Sequence, residues 1–186
     1  MYLTVFGISL GAWLLFEIWV FLRDRGKEKG EAAVGARRSI AALAIAIALA
    51  MNIPGIAPMF DVQRNFAIYF WAGILLVWAG MLFRFWAVRV LGMFFSTRLV
   101  IQQGHELITA GPYRWIRNPS YTGGLITLIG LGISLGNGLS FATLLLTGLL
   151  VYVWRIRAEE KMLVQAFGAR YEEYKKKTWA LIPFVW

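Results

Sequence analysis

The chain contains no cysteine and a single histidine, His105. Without cysteine there is no disulfide framework, no thiolate nucleophile and no cysteine metal site, and one histidine cannot build a histidine-cluster metal centre. Metal catalysis is therefore not expected. Acidic residues are also scarce: 10 Asp and Glu stand against 19 Lys and Arg, a formal charge of +9. The basic residues form none of the groove-reading motifs of nucleic-acid binders, so they are read as topology signals and contacts to lipid head groups. No internal repeat is present of the kind that encloses the midplane site of a secondary transporter.

What the chain has in excess is apolar surface. Hydrophobic residues make up 59% of its 186 positions and the mean hydropathy is +0.62, more than a soluble domain of this length can keep in water. The expectation is an all-α integral membrane protein. Five segments approach the length of about 20 apolar residues that crosses a bilayer as a helix: 2–22, 39–59, 66–91, 120–137 and 139–156. The first lacks a basic start and a small-residue cleavage site, so it is read as a span and not as a signal peptide. In the second, Asn52 and Pro54 leave a kink and a re-entrant turn both open. The fourth and fifth are separated only by "SLGNGLS", Ser134 to Ser140, which predicts a tight helical hairpin. The whole chain, 1–186, is read as one membrane domain, with three N-terminal spans in 1–91 and a second half, 92–186, that carries the polar motifs.

Eighteen of the 19 basic residues fall in 23–38, at 84–119 or after Val153, leaving Arg64 alone between the second and third spans. By the positive-inside rule the N-terminus is outside and the C-terminus cytoplasmic, as an odd number of spans requires. Any chemistry then belongs to the inner face, in the loop 92–119 and the tail. "LVIQQGHELI", Leu99 to Ile108, has the pattern of a short hairpin on the membrane surface. "GPYRWIRNPSY", Gly111 to Tyr121, packs turn formers and charge between two apolar runs, and Pro119 is placed to start the fourth helix. The free N–H groups of that helix end suit a carboxylate. The tail continues the fifth span, with an amphipathic helix expected over about 159–177.

Arg155 and Glu159 lie four apart and share a helix face, as a surface ion pair or as part of a site. Glu17 is an acidic residue at membrane depth, either a functional base or a partner for Arg84 or Arg89. The tryptophans read as interface anchors and packing, with Trp115 set apart by its place inside the polar loop.

In order, "GHELITAGPYRWIRNPSYTG" and "RIRAEEKMLVQAFGARYEEYKKKTWALIPF" closely resemble the signature of the isoprenylcysteine carboxyl methyltransferase family and its relatives among membrane phospholipid methyltransferases. The resemblance covers His105 to Phe184. One position departs: Asn118 stands where isoprenylcysteine enzymes have histidine, although related lipid methyltransferases also carry asparagine there. The resemblance implies a membrane-embedded methyltransferase using S-adenosylmethionine. His105, Glu106, Leu107, Ile108, Tyr113, Asn118, Pro119, Ser120, Tyr121 and Glu159 would line the cofactor. Arg155 would face the substrate, and Arg155 and Glu159 are the candidate catalytic residues.

The expected reaction is carboxyl O-methylation of an isoprenylcysteine-like or other lipidic substrate. A carboxylate is already ionised at neutral pH and needs only a positioning cation, which Arg155 supplies. Phospholipid N-methylation is the alternative; an amine must lose a proton, which would fall to His105, Glu159 or Glu17. A non-catalytic lipid-binding or transport protein is the competing class.

Overall fold

The computed structural model describes residues 1–23, 31–61, 65–95 and 107–184. Among them run six α-helices: α1 (Tyr2–Arg23), α2 (Glu31–Ile56), α3 (Phe66–Leu91), α4 (Pro119–Ser134), α5 (Gly138–Phe167) and α6 (Ala169–Lys177). Short 3-10 turns occupy Pro58–Phe60, Gly92–Phe94 and Gly111–Arg114. The described residues contain no strand, only two isolated bridges, Asp61 with Asn137 and Ile116 with Trp179. The hairpin expected over 99–108 lies, except for Leu107 and Ile108, outside the described residues.

Helices α1, α3 and α5 are long and apolar enough to cross a membrane, and Ala41–Ile56 of α2 forms a shorter apolar stretch. Their outer faces present Leu3, Ile8, Leu15, Leu75, Leu82 and Leu150 to the surroundings. Apolar side chains on the outside of a helix bundle are what lipid in place of water demands. The protein is an integral membrane protein. Helix α4, at 16 residues, spans only about 24 Å at 1.5 Å per residue, less than the roughly 30 Å of a hydrocarbon core.

The second span is an uninterrupted helix. Asn52 turns its amide back to Ala48 O at 2.8 Å and Pro54 lies inside α2 two residues before its end. Of the alternatives left open by the sequence, a re-entrant turn at Asn52 and Pro54 is not formed, since the helix continues to Ile56. The expected hairpin forms between α4 and α5, with Gly136 at φ +65°. Asn137 caps α5 by accepting from the backbone N–H groups of Leu139 and Ser140, both at 3.0 Å. Its amide also donates to Asp61 Oδ1 at 2.6 Å and Ala57 O at 3.2 Å, tying the hairpin to the α2–α3 link. One end of the bundle is thus closed by Asn137, and the loop before α4 and helix α6 occupy the other.

The tail differs from expectation. Residues 159–167 belong to α5, which continues unbroken to Phe167; only Ala169–Lys177 form a separate helix. The break falls at Gly168, whose φ of +54° and ψ of −129° suit glycine.

The tightest packing joins α3 to α4 along four glycines. A Cβ on Gly80 would lie 2.6 Å from both Gly123 O and Thr127 N, and one on Gly130 2.6 Å from Val77 N. Gly73 and Gly123 are equally closed, at 2.5 Å from Ser134 N and 2.7 Å from Arg84 N. On each helix the glycines are seven apart, two turns, so they fall on one face and the backbones meet there directly. Gly80→Val should therefore cost on the order of 3 kcal/mol and sharply lower the yield of monodisperse protein in detergent. Gly11→Ala, where no atom lies within 4 Å of the added Cβ, should leave the chromatographic profile unchanged.

Candidate functional site

The chain reaches the site through Leu107 and Ile108, half-buried and irregular. Gly111, at φ +58°, opens the 3-10 turn and Pro112 occupies its first position. This turn drives Tyr113 inward to 5% exposure. Its hydroxyl donates to Ala87 O of α3 at 3.4 Å, and its carbonyl accepts from Tyr174 Oη of α6 at 2.6 Å. Burial raises the Tyr113 and Tyr174 phenols above their ordinary value, so both are neutral hydrogen-bond donors across the physiological range.

The next residues grip the tail. Four successive carbonyls, of Thr178, Trp179, Ala180 and Leu181, are each captured by the segment 117–122. Arg117 Nη1 donates to Thr178 O at 2.5 Å and the Arg117 backbone N–H to Trp179 O at 2.9 Å. Asn118 Nδ2 donates to Ala180 O at 2.9 Å and Thr122 Oγ1 to Leu181 O at 2.7 Å. In return the Trp179 N–H donates to Trp115 O at 2.9 Å. Ala180 and Leu181 are fully buried by this arrangement. Glu160 of α5 locks it from below: its Oε1 accepts from Arg117 Nε at 2.6 Å and Asn118 Nδ2 at 3.2 Å.

The asparagine at 118 suits this place. An amide nitrogen carries two hydrogens and here serves two acceptors, whereas a neutral imidazole has one N–H in total. Asn118, 6% exposed, is thus a tie between loop, tail and α5, and its side chain does not cap α4.

One turn further, Tyr121 connects the two candidate catalytic residues. Arg155 Nε donates to Tyr121 Oη at 3.0 Å, and that hydroxyl donates to Glu159 Oε2 at 3.0 Å. The Arg155 guanidinium also lies 5.9 Å from the Tyr121 ring centroid, within cation–π range. Arg155 is 6% exposed. The i,i+4 spacing therefore belongs to an interior network and not to a wet surface pair. Behind it stands Arg84, with Nε 3.0 Å from Glu17 Oε1 and Nη2 donating to Glu17 Oε2 at 3.1 Å. Its Nη1 donates to Ser120 O at 3.0 Å. Glu17 is accordingly the partner of Arg84, the structural one of its two readings.

Tyr113, Asn118, Pro119, Ser120, Tyr121, Arg155 and Glu159 thus gather at one end of the bundle, with Leu107 and Ile108 leading in. His105 and Glu106 lie outside the described residues. Arg117, Glu160, Thr122 and Thr178, which hold the tail, escaped the sequence reading. Arg117 and Glu160 stood within the quoted motifs, but nothing in a linear sequence says that Glu160 faces the loop while Glu159 faces Tyr121.

The phospholipid methyltransferase family model matches residues 68–170. A probable protein-S-isoprenylcysteine O-methyltransferase of Oryza sativa subsp. indica is 33% identical over 165 residues, covering 83% of this chain and 86% of that protein. The protein-S-isoprenylcysteine O-methyltransferase of Saccharomyces cerevisiae is 37% identical over 115 residues, 61% of this chain and 48% of that protein. Among solved structures, the eukaryotic intramembrane Ras methyltransferase, an isoprenylcysteine carboxyl methyltransferase, superposes with a TM-score of 0.68. That match covers 99% of this chain and 68% of the other at 24% identity, and shows a shared fold.

Removing the Asn118 amide strands Ala180 O in a buried site, a loss of about 1–3 kcal/mol. Asn118→Ala should lower the unfolding midpoint in detergent and expose the tail to a carboxypeptidase or protease, measured as faster cleavage after Lys177. Thr143→Ala, on the exposed side of α5, should change neither.

Proposed function

The chain belongs to the isoprenylcysteine carboxyl methyltransferase family, and from that membership we propose that it methylates the carboxylate of an isoprenylated cysteine at the membrane, with S-adenosylmethionine as methyl donor. The observation that carries the reading is the hydrogen-bonded series Arg155–Tyr121–Glu159, which sets a buried cation beside a carboxylate within the bundle. The residues present fit the donor: the Glu159 carboxylate can accept from an ammonium or a ribose hydroxyl, and the aromatic Tyr113 and Tyr121 can pack against flat or cationic groups. The irregular backbone of 107–109 brings N–H and C=O groups that helical pairing does not use. Leu107, Ile108, Tyr113, Pro119, Ser120, Tyr121 and Glu159 would hold the donor, together with His105 and Glu106.

S-adenosylmethionine supplies an electrophilic methyl group, and displacement at that carbon demands alignment and exclusion of water. Arg155 positions the substrate: its guanidinium pairs in planar fashion with a carboxylate that is already ionised, so no general base is required. Tyr121 fixes the direction of Arg155 and Glu159 at once, since its single hydroxyl accepts from one and donates to the other. Asn118, whose amide is occupied by Ala180 O and Glu160, acts here as a positioning residue that keeps the loop against α5. No proton-accepting imidazole is needed at that position for a carboxylate substrate.

The site lies on the cytoplasmic side in this reading and the N-terminus on the other, because 18 of 19 basic residues fall in 23–38, at 84–119 or after Val153. Absence of cysteine makes this directly testable with single introduced thiols. Met59→Cys, exposed in the α2–α3 link, should react with a membrane-impermeant maleimide in intact cells. Lys176→Cys, exposed on α6, should react only after permeabilisation, and the reverse pattern would invert the topology.

Calorimetric titration of the purified protein with S-adenosylmethionine and S-adenosylhomocysteine should show saturable one-site binding that Glu159→Ala abolishes. Arg155→Ala should retain cofactor binding and lose carboxyl methylation of a prenylated cysteine by at least 100-fold, the scale expected for a group that holds the reacting carboxylate. Methyl transfer to phosphatidylethanolamine and not to the prenylated cysteine would replace this reading with phospholipid N-methylation.

A further inference from the structure

A groove of about 490 Å³ lies between the loop and α6, lined by Leu107, Thr109, Arg114, Arg170, Glu173, Tyr174, Lys177 and Thr178. Its volume falls in the range of small-molecule sites. It adjoins the proposed cofactor residues at Leu107 but contains none of the side chains of Tyr113, Tyr121, Arg155 or Glu159, and Tyr174 stands between them with its hydroxyl on Tyr113 O. Three cations and one carboxylate face it. Lys177 is matched by Glu173, its i,i+4 partner on α6. Arg114 and Arg170 have no ion-pair partner among the described residues, and both are exposed. Two unmatched guanidiniums, one from the loop and one from the first turn of α6, line a recess suited to a phosphate-type anion, which the planar fork of arginine binds through paired hydrogen bonds.

The depth of the groove indicates where such an anion comes from. Trp115 follows Arg114 directly and is 57% exposed, with the Arg114 guanidinium 5.8 Å from its ring. Trp179 follows Thr178, is 40% exposed, and packs at 5.3 Å on the 87% exposed Phe184. Exposed tryptophans bracketing one site in a membrane protein mark the head-group level. The two arginines thus stand beside exposed aromatic side chains of the kind expected at the head-group level.

We infer that this groove is a binding site for the head group of an anionic phospholipid, held by Arg114 and Arg170 and separate from the methyl-transfer site. Loading it would fasten α6 and the loop segment 107–114 to the membrane surface on one flank of the cofactor residues. The inference concerns lipid recognition and stands on the groove's own charge and depth, so it does not depend on which methyl acceptor the protein uses.

Purified, delipidated protein in a neutral detergent would be titrated with dioctanoyl phosphatidylglycerol, dioctanoyl phosphatidylcholine and inorganic phosphate, reading both calorimetric heat and the unfolding midpoint. The expected result is saturable binding of phosphatidylglycerol with a raised midpoint, and at least ten-fold weaker response to the other two. The double variant Arg114→Ala/Arg170→Ala should lose that binding at least ten-fold while keeping S-adenosylhomocysteine affinity. Lys176→Ala, which removes an exposed charge of α6 outside the groove, should bind like the parent. Equal response to phosphatidylcholine, equal response to inorganic phosphate, or unchanged lipid binding in the double variant would each overturn the inference. Loss of S-adenosylhomocysteine binding in a double variant that remains folded would overturn it too, by assigning the groove to the cofactor.

Discussion

A guanidinium inside a helix bundle that faces lipid has little water to turn to, so protein groups must meet much of its charge and hydrogen bonding. Three arginines impose that requirement here, and their partners determine how the functional end is built. Arg84 draws Glu17 of α1 and Ser120 O of α4 to α3. Arg117 draws Glu160 of α5 and Thr178 O of the tail to the loop. Arg155 reaches α4 through Tyr121. All three networks meet at the residues that begin α4, and the site is the place where these separate obligations coincide.

The start of α4 can serve as that meeting point because its position is fixed independently. Along the glycine seam the backbones of α3 and α4 touch, with no room for a side chain at the four glycines. Close backbone approach is a discrete geometry and leaves little play, in contrast to a layer of flexible side chains. Asn137 fixes the far end of the hairpin by bonding Asp61 and Ala57. Tyr121 therefore presents its hydroxyl from a helix held at both ends, a condition for aligning two partners that come from a different helix.

The segment before and at the start of α4 shows how a short polar motif divides its groups between the tail and the bundle. "RNPSYT" spends Arg117, Asn118 and Thr122 on four successive tail carbonyls, and leaves Ser120 and Tyr121 to Arg84, Arg155 and Glu159. Pro119 starts the helix, so Arg117 and Asn118 reach the tail from the loop and Thr122 from the first turn of α4, while Ser120 and Tyr121 serve the bundle. A departure at 118 from histidine to asparagine is tolerated in such a frame because the demand there is for two N–H donors from one atom, which an amide meets.

The sequence by itself determined the membrane class, the hairpin between α4 and α5, and the end of the bundle where polar chemistry gathers. These depend on composition and on local rules, namely apolar length, turn residues at Gly136 and Asn137, and the distribution of lysine and arginine. The family motif likewise brought Tyr113, Tyr121, Arg155 and Glu159 into view. Only the tertiary structure decided the course of α2 through Pro54, the extension of α5 to Phe167, the pairing of Glu17 with Arg84 and the capture of the tail by Arg117, Asn118 and Thr122. Each of these depends on groups that meet from distant parts of the chain, or on a helix continuing because its neighbours support it, and neither leaves a periodic mark in the residues themselves. Glu159 and Glu160 show the limit: they are adjacent and identical in type, and the roughly 100° between successive residues on a helix sends one to Tyr121 and the other to Arg117.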